Sequence, residues 1–321
     1  MQAIVYSRSV LKLEEVEKPV PADNEVLVRV RAASVNPLDH HFLRHPFLRS
    51  VMARVTKVKT LRPGRDVAGQ VEAVGRNVTQ FKIGDEVFGA CNGAFAEYAC
   101  GRESAFAAKP SDVSFEQAAS VPVAALTALQ GFRDKAHIQP GQKVLINGAA
   151  GGVGTFAVQI AKTFGAEVTG VCSTRNVEMV RSLGADTVID YTQEDFTSNG
   201  KQYDLILDVV ANHSFAEHRR ALTPRGIYIG AGMIGLGGSM SRLLMRQIPE
   251  LVKWRFVSQK SISLLAKLNQ KDLTAIGALI AEGRVTPVID RRYSLREVPE
   301  AVRYLEQGHA RGKVIIEVSR A

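Results

Sequence analysis

Cysteine is scarce: Cys91, Cys100 and Cys172 are the only three in 321 residues. An odd number at wide spacing makes neither a disulfide framework nor a CxxC metal site, and it fits a reducing cytoplasm. Long apolar runs are missing too. The longest, around 121–129, falls far short of the roughly 20 residues that a membrane-spanning helix needs. The opening stretch MQAIVYSRSVLKLEEVEKPV carries charges throughout, unlike the apolar centre of a signal peptide, so a cytoplasmic location is expected. No internal repeat or low-complexity tract is visible. With 45% hydrophobic and 23% charged residues, collagen-like, mucin-like and disordered classes are excluded. Positive charge is what the chain has in excess, 41 Lys and Arg against 32 Asp and Glu, a net +9. That favours anionic partners, whether a phosphate-bearing cofactor, a nucleic acid or an anionic membrane. The length suggests about two domains.

Residues 25–30 (EVLVRV) alternate polar and apolar, the period of a half-buried strand. Residues 67–74 and 85–88 read as further strands, bounded by turn chemistry at Pro63-Gly64, Gly75-Arg76-Asn77 and Ile83-Gly84-Asp85. From Pro140-Gly141 the texture changes. Residues 143–147 form a short apolar strand, 153–164 a helix, 167–172 a strand and 176–183 a helix, with strands following at 187–190, 205–210 and 227–230. Strands alternating with helices mean a parallel sheet with right-handed crossovers. Residues 240–267 read as helical and basic and 273–281 as a short helix, before a closing strand (286–290), helix (298–306) and strand (313–318). The expected architecture is an α/β domain inserted into a β-rich one that the closing strands rejoin.

The stretch VLINGAAGGVG (144–154) is the most informative. A strand ends at Asn147, a glycine turn follows, and a helix begins near Val153. Glycines let backbone N–H groups approach a phosphate with no Cβ in the way, and the helix N-terminus offers unpaired N–H groups and a positive dipole end. The spacing Gly148, Gly151, Gly152, Gly154 departs from a literal G-x-G-x-x-G. The strand–turn–helix context still favours a dinucleotide over an unliganded turn. Asn147, Gly151, Gly152, Val153 and Gly154 are the expected pyrophosphate residues. The next strand runs into Ser173, Thr174 and Arg175 with no acid at its end. An acid there would repel the 2′-phosphate of NADP, whereas hydroxyls and a guanidinium bind it by charge-assisted hydrogen bonds. NADP(H) is therefore the expected cofactor.

These features resemble the medium-chain dehydrogenase/reductase superfamily over essentially the whole chain. The resemblance is carried by AAGGVG (149–154), by 64–75 with the trailing FKIGDEVFG (81–89), and by GHARGKVIIEV (308–318). Within the superfamily, SVNPLDHHF (34–42) is similar to the nicotinamide-site motif of the zinc-independent quinone oxidoreductase branch. The resemblance implies an α/β chain: a GroES-like β-rich catalytic domain over 1–122, an inserted Rossmann doubly wound parallel-sheet domain over 123–285, and a return to the catalytic domain over 286–321. It also implies a cleft between the domains, a small-molecule substrate and a homodimer.

Zinc enzymes of that superfamily carry G-H-E where this chain reads Gly64-Arg65-Asp66, and their first cysteine ligand falls at Asn36. A guanidinium cannot coordinate Zn²⁺, and three cysteines cannot make a four-cysteine structural lobe, so no metal is expected. Asp39, His40, His41 and His45 cluster locally and read as a polar rim in preference to a metal site. Without a Lewis acid, hydride delivery to a quinone or α,β-unsaturated carbonyl suits the site better than alcohol oxidation. The resemblance gives Asn36 to the nicotinamide or substrate carbonyl, Thr127 to the neighbourhood of the nicotinamide and Tyr191 to the adenosine 2′-phosphate. Gly230 and Ala231 end a strand at its carboxyl edge, where the nicotinamide amide is expected. Lys313 on the closing strand goes to the cofactor, with a bland surface position as its alternative. Asp39 is expected to hold its loop by accepting backbone N–H bonds. His41 stands where relatives place a tyrosine or lysine, and a histidine there could donate the product's proton.

Arg242, Arg246, Lys253, Arg255 and Lys260 interleave with Leu243, Leu244, Ile248, Leu251, Trp254 and Phe256. This fits a helical excursion packed on the domain, or a peripheral membrane contact through 240–260. Two alternatives to a quinone or enone reductase stand: an NADP-dependent alcohol or carbonyl dehydrogenase, and a cofactor-binding protein with an RNA-binding or crystallin-like role. The absence of RRM, KH and zinc-knuckle signatures and of an aromatic stacking platform points away from nucleic acid.

Overall fold

The computed structural model describes residues 1–7, 10–37, 39, 62–231 and 257–318. His40, His41 and His45 and the basic stretch 240–256 lie outside the described residues. The chain divides into two units, Met1–Leu126 with Lys267–Ala321, and Thr127–Ala266.

The first unit is built on a mixed seven-stranded sheet. Its strands run Ile289–Ser294, Lys313–Glu317, Glu25–Val35, Asp66–Val74, Glu86–Ala90 and Phe106–Ala108, and Tyr98–Arg102 also pairs with Glu25–Val35. Among the described strands of this sheet, only Ile289–Ser294 and Lys313–Glu317 pair in parallel. Gln2–Ser7 and Val10–Glu15 form a separate antiparallel pair. The alternating segment at 25–30 extends to Val35 because Ala32–Ser34 pairs on both sides and Val35 with Val314, a register shift between Val30 and Ala32 admitting Arg31. The core gathers Ile4, Val26, Val28, Val67, Phe95, Phe106, Val314 and Ile316. Helix Val298–Glu306 closes over it with Val298, Ala301 and Val302, the i, i+3, i+4 stripe of a surface helix.

The closing strand begins at Ile289, later than the expected 286, since Pro287 has no N–H for a ladder. The return to this unit also comes earlier than residue 286. Helix Gln270–Ala281 buries Leu273 and Ile276, and a Cβ on Gly277 would stand 3.5 Å from Phe88 and Pro110. That helix belongs with the first unit's sheet. Two helices carried no periodicity signal. Phe115–Ala119 is announced only by the capping box of Ser114 and Gln117, and Pro122–Gln130 is apolar nearly all round.

The second unit is a six-stranded, wholly parallel sheet in the order Thr187–Asp190, Glu167–Cys172, Lys143–Asn147, Tyr203–Asp208, Leu222–Gly230, Lys260–Ser263. Numbered along the chain this is 3-2-1-4-5-6, the doubly wound dinucleotide order. Its topological switch point lies between Lys143–Asn147 and Tyr203–Asp208, whose terminal residues are paired neighbours. Residues 260–263 correct the helical reading of 240–267. KSIS alternates and adds an edge strand in parallel beside Leu222–Gly230.

Candidate active site

At the switch point, the turn after Asn147 is closed by Gly148 at φ +89°, where a Cβ would strike Val209 and Val210 at 2.7 and 2.8 Å. A Cβ on Gly154 would lie 2.1 Å from the Gly148 carbonyl oxygen, so the first turn of helix Gly152–Thr163 sits directly on the loop. Gly151 is the N-cap, in extended backbone with no side-chain cap, and among the described residues a Cβ there would meet only the Gly148 oxygen at 3.5 Å. The first-turn N–H groups of Gly152, Val153 and Gly154 thus face a bare approach, a cradle for a pyrophosphate. The Asn147 carboxamide serves the scaffold: its Nδ2 donates to Asp208 Oδ1 at 3.0 Å and to Asn212 Oδ1 at 2.9 Å.

Asp208 is fully buried and organises this edge. Oδ1 also accepts from the Val210 and Ala211 N–H groups, both at 2.9 Å, and Oδ2 accepts from the Tyr228 hydroxyl at 3.0 Å. His218 Nε2 lies 3.2 Å from Oδ2 without hydrogen-bond alignment. Burial works to raise the Asp208 carboxyl, but the adjacent His218 and the two N–H groups hold it below the ordinary range. Burial, with the Asp208 charge beside it, pushes the Tyr228 phenol up. Gly230 pairs with Asp208, and the Ala231 N–H donates to the Asp208 carbonyl. This places both at the carboxyl edge of the sheet.

Ser173, Thr174, Arg175 and Tyr191 come together at the end of strand Glu167–Cys172, where the Tyr191 N–H donates to the Cys172 carbonyl at 3.0 Å. Tyr191 is 60% exposed. Ser173 accepts from Asn176 Nδ2 at 3.1 Å, which leaves its own hydroxyl proton to donate elsewhere. Sequence reasoning missed Asp190. It ends the neighbouring strand opposite Cys172 and accepts from the Thr192 N–H and hydroxyl at 3.0 and 2.8 Å. Hydrogen bonding from Thr174, first, and from Thr192 holds its carboxyl below the ordinary range. Only the strand pairing reveals an acid there, and Thr174 is engaged with it.

The first unit holds a second buried polar group. Register pairs Ser34 with Asp66 and Val35 with Val314, so Asn36, Asp66 and Lys313 meet at one end of three adjacent strands. Asp66 is fully buried. It accepts from Ser34 Oγ at 2.8 Å, Asn36 Nδ2 at 2.9 Å and the Val123 N–H at 3.1 Å. Lys313, 3% exposed, reaches Asn36 Oδ1 at 2.7 Å and Asp66 Oδ2 at 3.4 Å, which corrects the surface alternative for it. Asp39 Oδ2 accepts the Asn36 N–H at 2.8 Å, while its buried Oδ1 has no hydrogen-bond partner among the described residues. Burial pushes the Asp39 carboxyl up to about 7. Nearby Asp66 adds to the push, and the Asn36 N–H, Lys313 and Arg65 oppose it. Thr127 is buried in helix Pro122–Gln130.

Two family models match the chain, an alcohol dehydrogenase GroES-like domain over residues 22–112 and a zinc-binding dehydrogenase domain over 183–316. A quinone-oxidoreductase homologue of the chloroplast from Spinacia oleracea is 34% identical over 335 residues, covering 99% of this chain and 98% of its own. An NADPH-dependent alkenal/one oxidoreductase from Arabidopsis thaliana is 34% identical over 335 residues, covering 98% of this chain and 79% of its own. The solved quinone oxidoreductase from Coxiella burnetii superposes with a TM-score of 0.86 at 31% identity, over 99% of each chain. The chain belongs to the medium-chain dehydrogenase/reductase superfamily, in its quinone-oxidoreductase-like branch.

Members of this superfamily divide over zinc, and the donor set here does not fit the ion. Of the positions a zinc enzyme would use, Arg65 is a guanidinium, Asn36 is clamped through its oxygen by Lys313, and Asp66 already accepts four donors. A buried ammonium 2.7 Å from one candidate ligand and 3.4 Å from another occupies with its own charge the place where a dication would sit. The dinucleotide fits: the open first turn at Gly151–Gly154 and the hydroxyl and guanidinium at Ser173 and Arg175 match a pyrophosphate and a ribose phosphate.

Proposed function

We propose that the chain is an NADPH-dependent oxidoreductase that delivers hydride to the electrophilic carbon of a quinone or α,β-unsaturated carbonyl without a catalytic zinc ion. The observation that carries this reading is the Asn36 carboxamide held between Lys313 and Asp66, a polar group preorganised where zinc relatives put a ligand. Bound NADPH would supply the hydride. The backbone at Gly151–Gly154 would hold the pyrophosphate, and Ser173, Arg175 and Tyr191 would bind the adenosine end. Gly230 and Ala231 would line the nicotinamide amide, with Thr127 beside the ring. Asn36 would hydrogen-bond the oxygen on which negative charge develops as the carbon accepts hydride. His41, as proton donor to the resulting enolate, belongs to the same proposal, as do a homodimeric state and a cytoplasmic location. Three free cysteines support the last of these.

The test is NADPH consumption across quinones, enones and simple ketones, with NADP⁺ plus alcohols in parallel, each with and without chelator. Turnover of a quinone or enone that survives chelation is expected. Activity confined to alcohols and abolished by chelator would overturn the reading.

A further inference from the structure

A buried lysine near a buried aspartate is expected to lie closest to the carboxylate. Here the order is reversed. Lys313 Nζ stands 2.7 Å from the neutral oxygen of Asn36 and 3.4 Å from Asp66 Oδ2, while Asn36 Nδ2 donates to that same Oδ2 at 2.9 Å. The carboxamide is thus inserted between cation and anion, its oxygen toward the ammonium and its nitrogen toward the carboxylate. This alignment fixes which end of the amide is oxygen, since an ammonium only donates and a carboxylate only accepts. It also draws electron density from nitrogen toward oxygen, which makes the N–H groups stronger donors. One of the two Nδ2 hydrogens is taken by Asp66. The other has the Ser34 carbonyl at 3.5 Å, the loose limit of hydrogen bonding. Ser34 Oγ donates to Asp66 Oδ2 at 2.8 Å and the Val123 N–H to Oδ1 at 3.1 Å, so Asp66 stays in place without the lysine. The ion pair alone therefore does not account for Lys313.

We propose that Lys313 is a positioning residue which, through Asn36 Oδ1, orients and polarises the Asn36 carboxamide so that its second N–H is a preorganised donor to the oxygen of the reacting carbonyl. This rests on the proposed reduction, which supplies that oxygen. Lys313 itself touches no reacting atom.

The test removes the trivial role first. In an Asp66→Asn background Lys313 loses the carboxylate it contacts. Below about pH 6 the Asp39 carboxyl, pushed up to about 7, is protonated as well, so under those conditions a purely compensating lysine could be replaced by methionine without consequence. Through Asn36, Lys313→Met in that background should instead lower kcat for an enone by about tenfold or more, with KM changed far less, since part of one oxyanion donor is lost. In an Asn36→Ala, Asp66→Asn background the same replacement should leave kcat within about twofold, because the group it acts through is gone. Equal losses with and without Asn36, or no loss in either, would overturn the proposal. A readout independent of turnover is the Asn36 side-chain amide resonance. Its protons should move upfield when Lys313 becomes methionine in the Asp66→Asn protein. An unmoved resonance would overturn the proposal even if the kinetics were ambiguous. Parent protein that reduces neither quinone nor enone would refute the proposed function, and the amide resonance would still decide the role of Lys313.

Discussion

Two fully buried aspartates, one in each unit, sit at strand ends and are surrounded by donors in different ways. Asp208 takes the N–H groups of Val210 and Ala211 just after it, with Asn147 and Tyr228 from the adjoining strands and His218 Nε2 3.2 Å away, and no lysine or arginine pairs with it among the described residues. Asp66 takes Ser34, Asn36, Val123 and a lysine 247 residues away. The first arrangement is architecture: it bends the chain through Ala211 at φ +58° and presses Val209 and Val210 against the glycine turn. The second brings an ammonium out of water, where desolvation commonly offsets what the pair gains, so a buried pair is weak evidence for stability. Groups kept in such a setting are functional candidates. Under the proposed function, Asp208 would support the cofactor's seat and the Asp66 cluster the chemistry.

The largest expected effect breaks the architectural aspartate. Asp208→Ala leaves the donors of Asn147, Val210, Ala211 and Tyr228 without their acceptor and should destabilise the protein by on the order of 4 kcal/mol, read from denaturant midpoints. A change below about 1 kcal/mol would mean that the loop is held by other contacts. The parent carboxyl is depressed by folding, so its contribution is present above the unfolded pKa and is lost as pH falls through the lower folded value.

Asp39 should behave in the opposite sense. Its folded value of about 7 stands above 3.8, so between the two the unfolded chain has released a proton that the folded chain retains. Stability falls as pH rises through that window. Asp39→Asn should therefore be more stable than the parent by roughly 2–4 kcal/mol at about pH 8, with the advantage gone near about pH 3.5. A pH-independent difference would show that Asp39 is ionised in the fold. Next in size, Arg175→Asp should weaken NADPH binding by about 2 kcal/mol or more while sparing NADH, because a contact to the 2′-phosphate becomes a repulsion. Equal losses in fluorescence titrations of both cofactors would take Arg175 away from that phosphate. The smallest effect sharpens the Asp208 loop. Ala211→Gly relieves a left-handed alanine and should raise stability by about 1 kcal/mol, less the chain entropy that glycine adds.

The parts of this molecule legible in the sequence are those fixed by local pattern. Strands Lys143–Asn147, Glu167–Cys172 and Thr187–Asp190 end where alternation and turn residues place them, and GAAGGVG marks the cradle because a glycine turn before a helix is a local event. What escaped depends on residues far apart. Asp190 reaches Thr174 only through strand pairing, and helix Gln270–Ala281 joins the first unit only through Phe88 and Pro110. Asn36 was legible as a polar group, but the Lys313–Asp66 clamp was not. It exists because two antiparallel registers set 313, 36 and 66 side by side, which no window of sequence contains.

The division of labour between the two aspartates is tested most directly by measuring NADPH affinity and enone turnover side by side in Asn36→Ala and Asp208→Asn. The account predicts that Asn36→Ala lowers kcat by about 10²–10³-fold with the NADPH Kd nearly unchanged. Asp208→Asn should raise that Kd with kcat at saturating cofactor largely kept. A Kd that rises in Asn36→Ala as far as kcat falls, or an Asp208→Asn protein that binds NADPH like the parent, would contradict it.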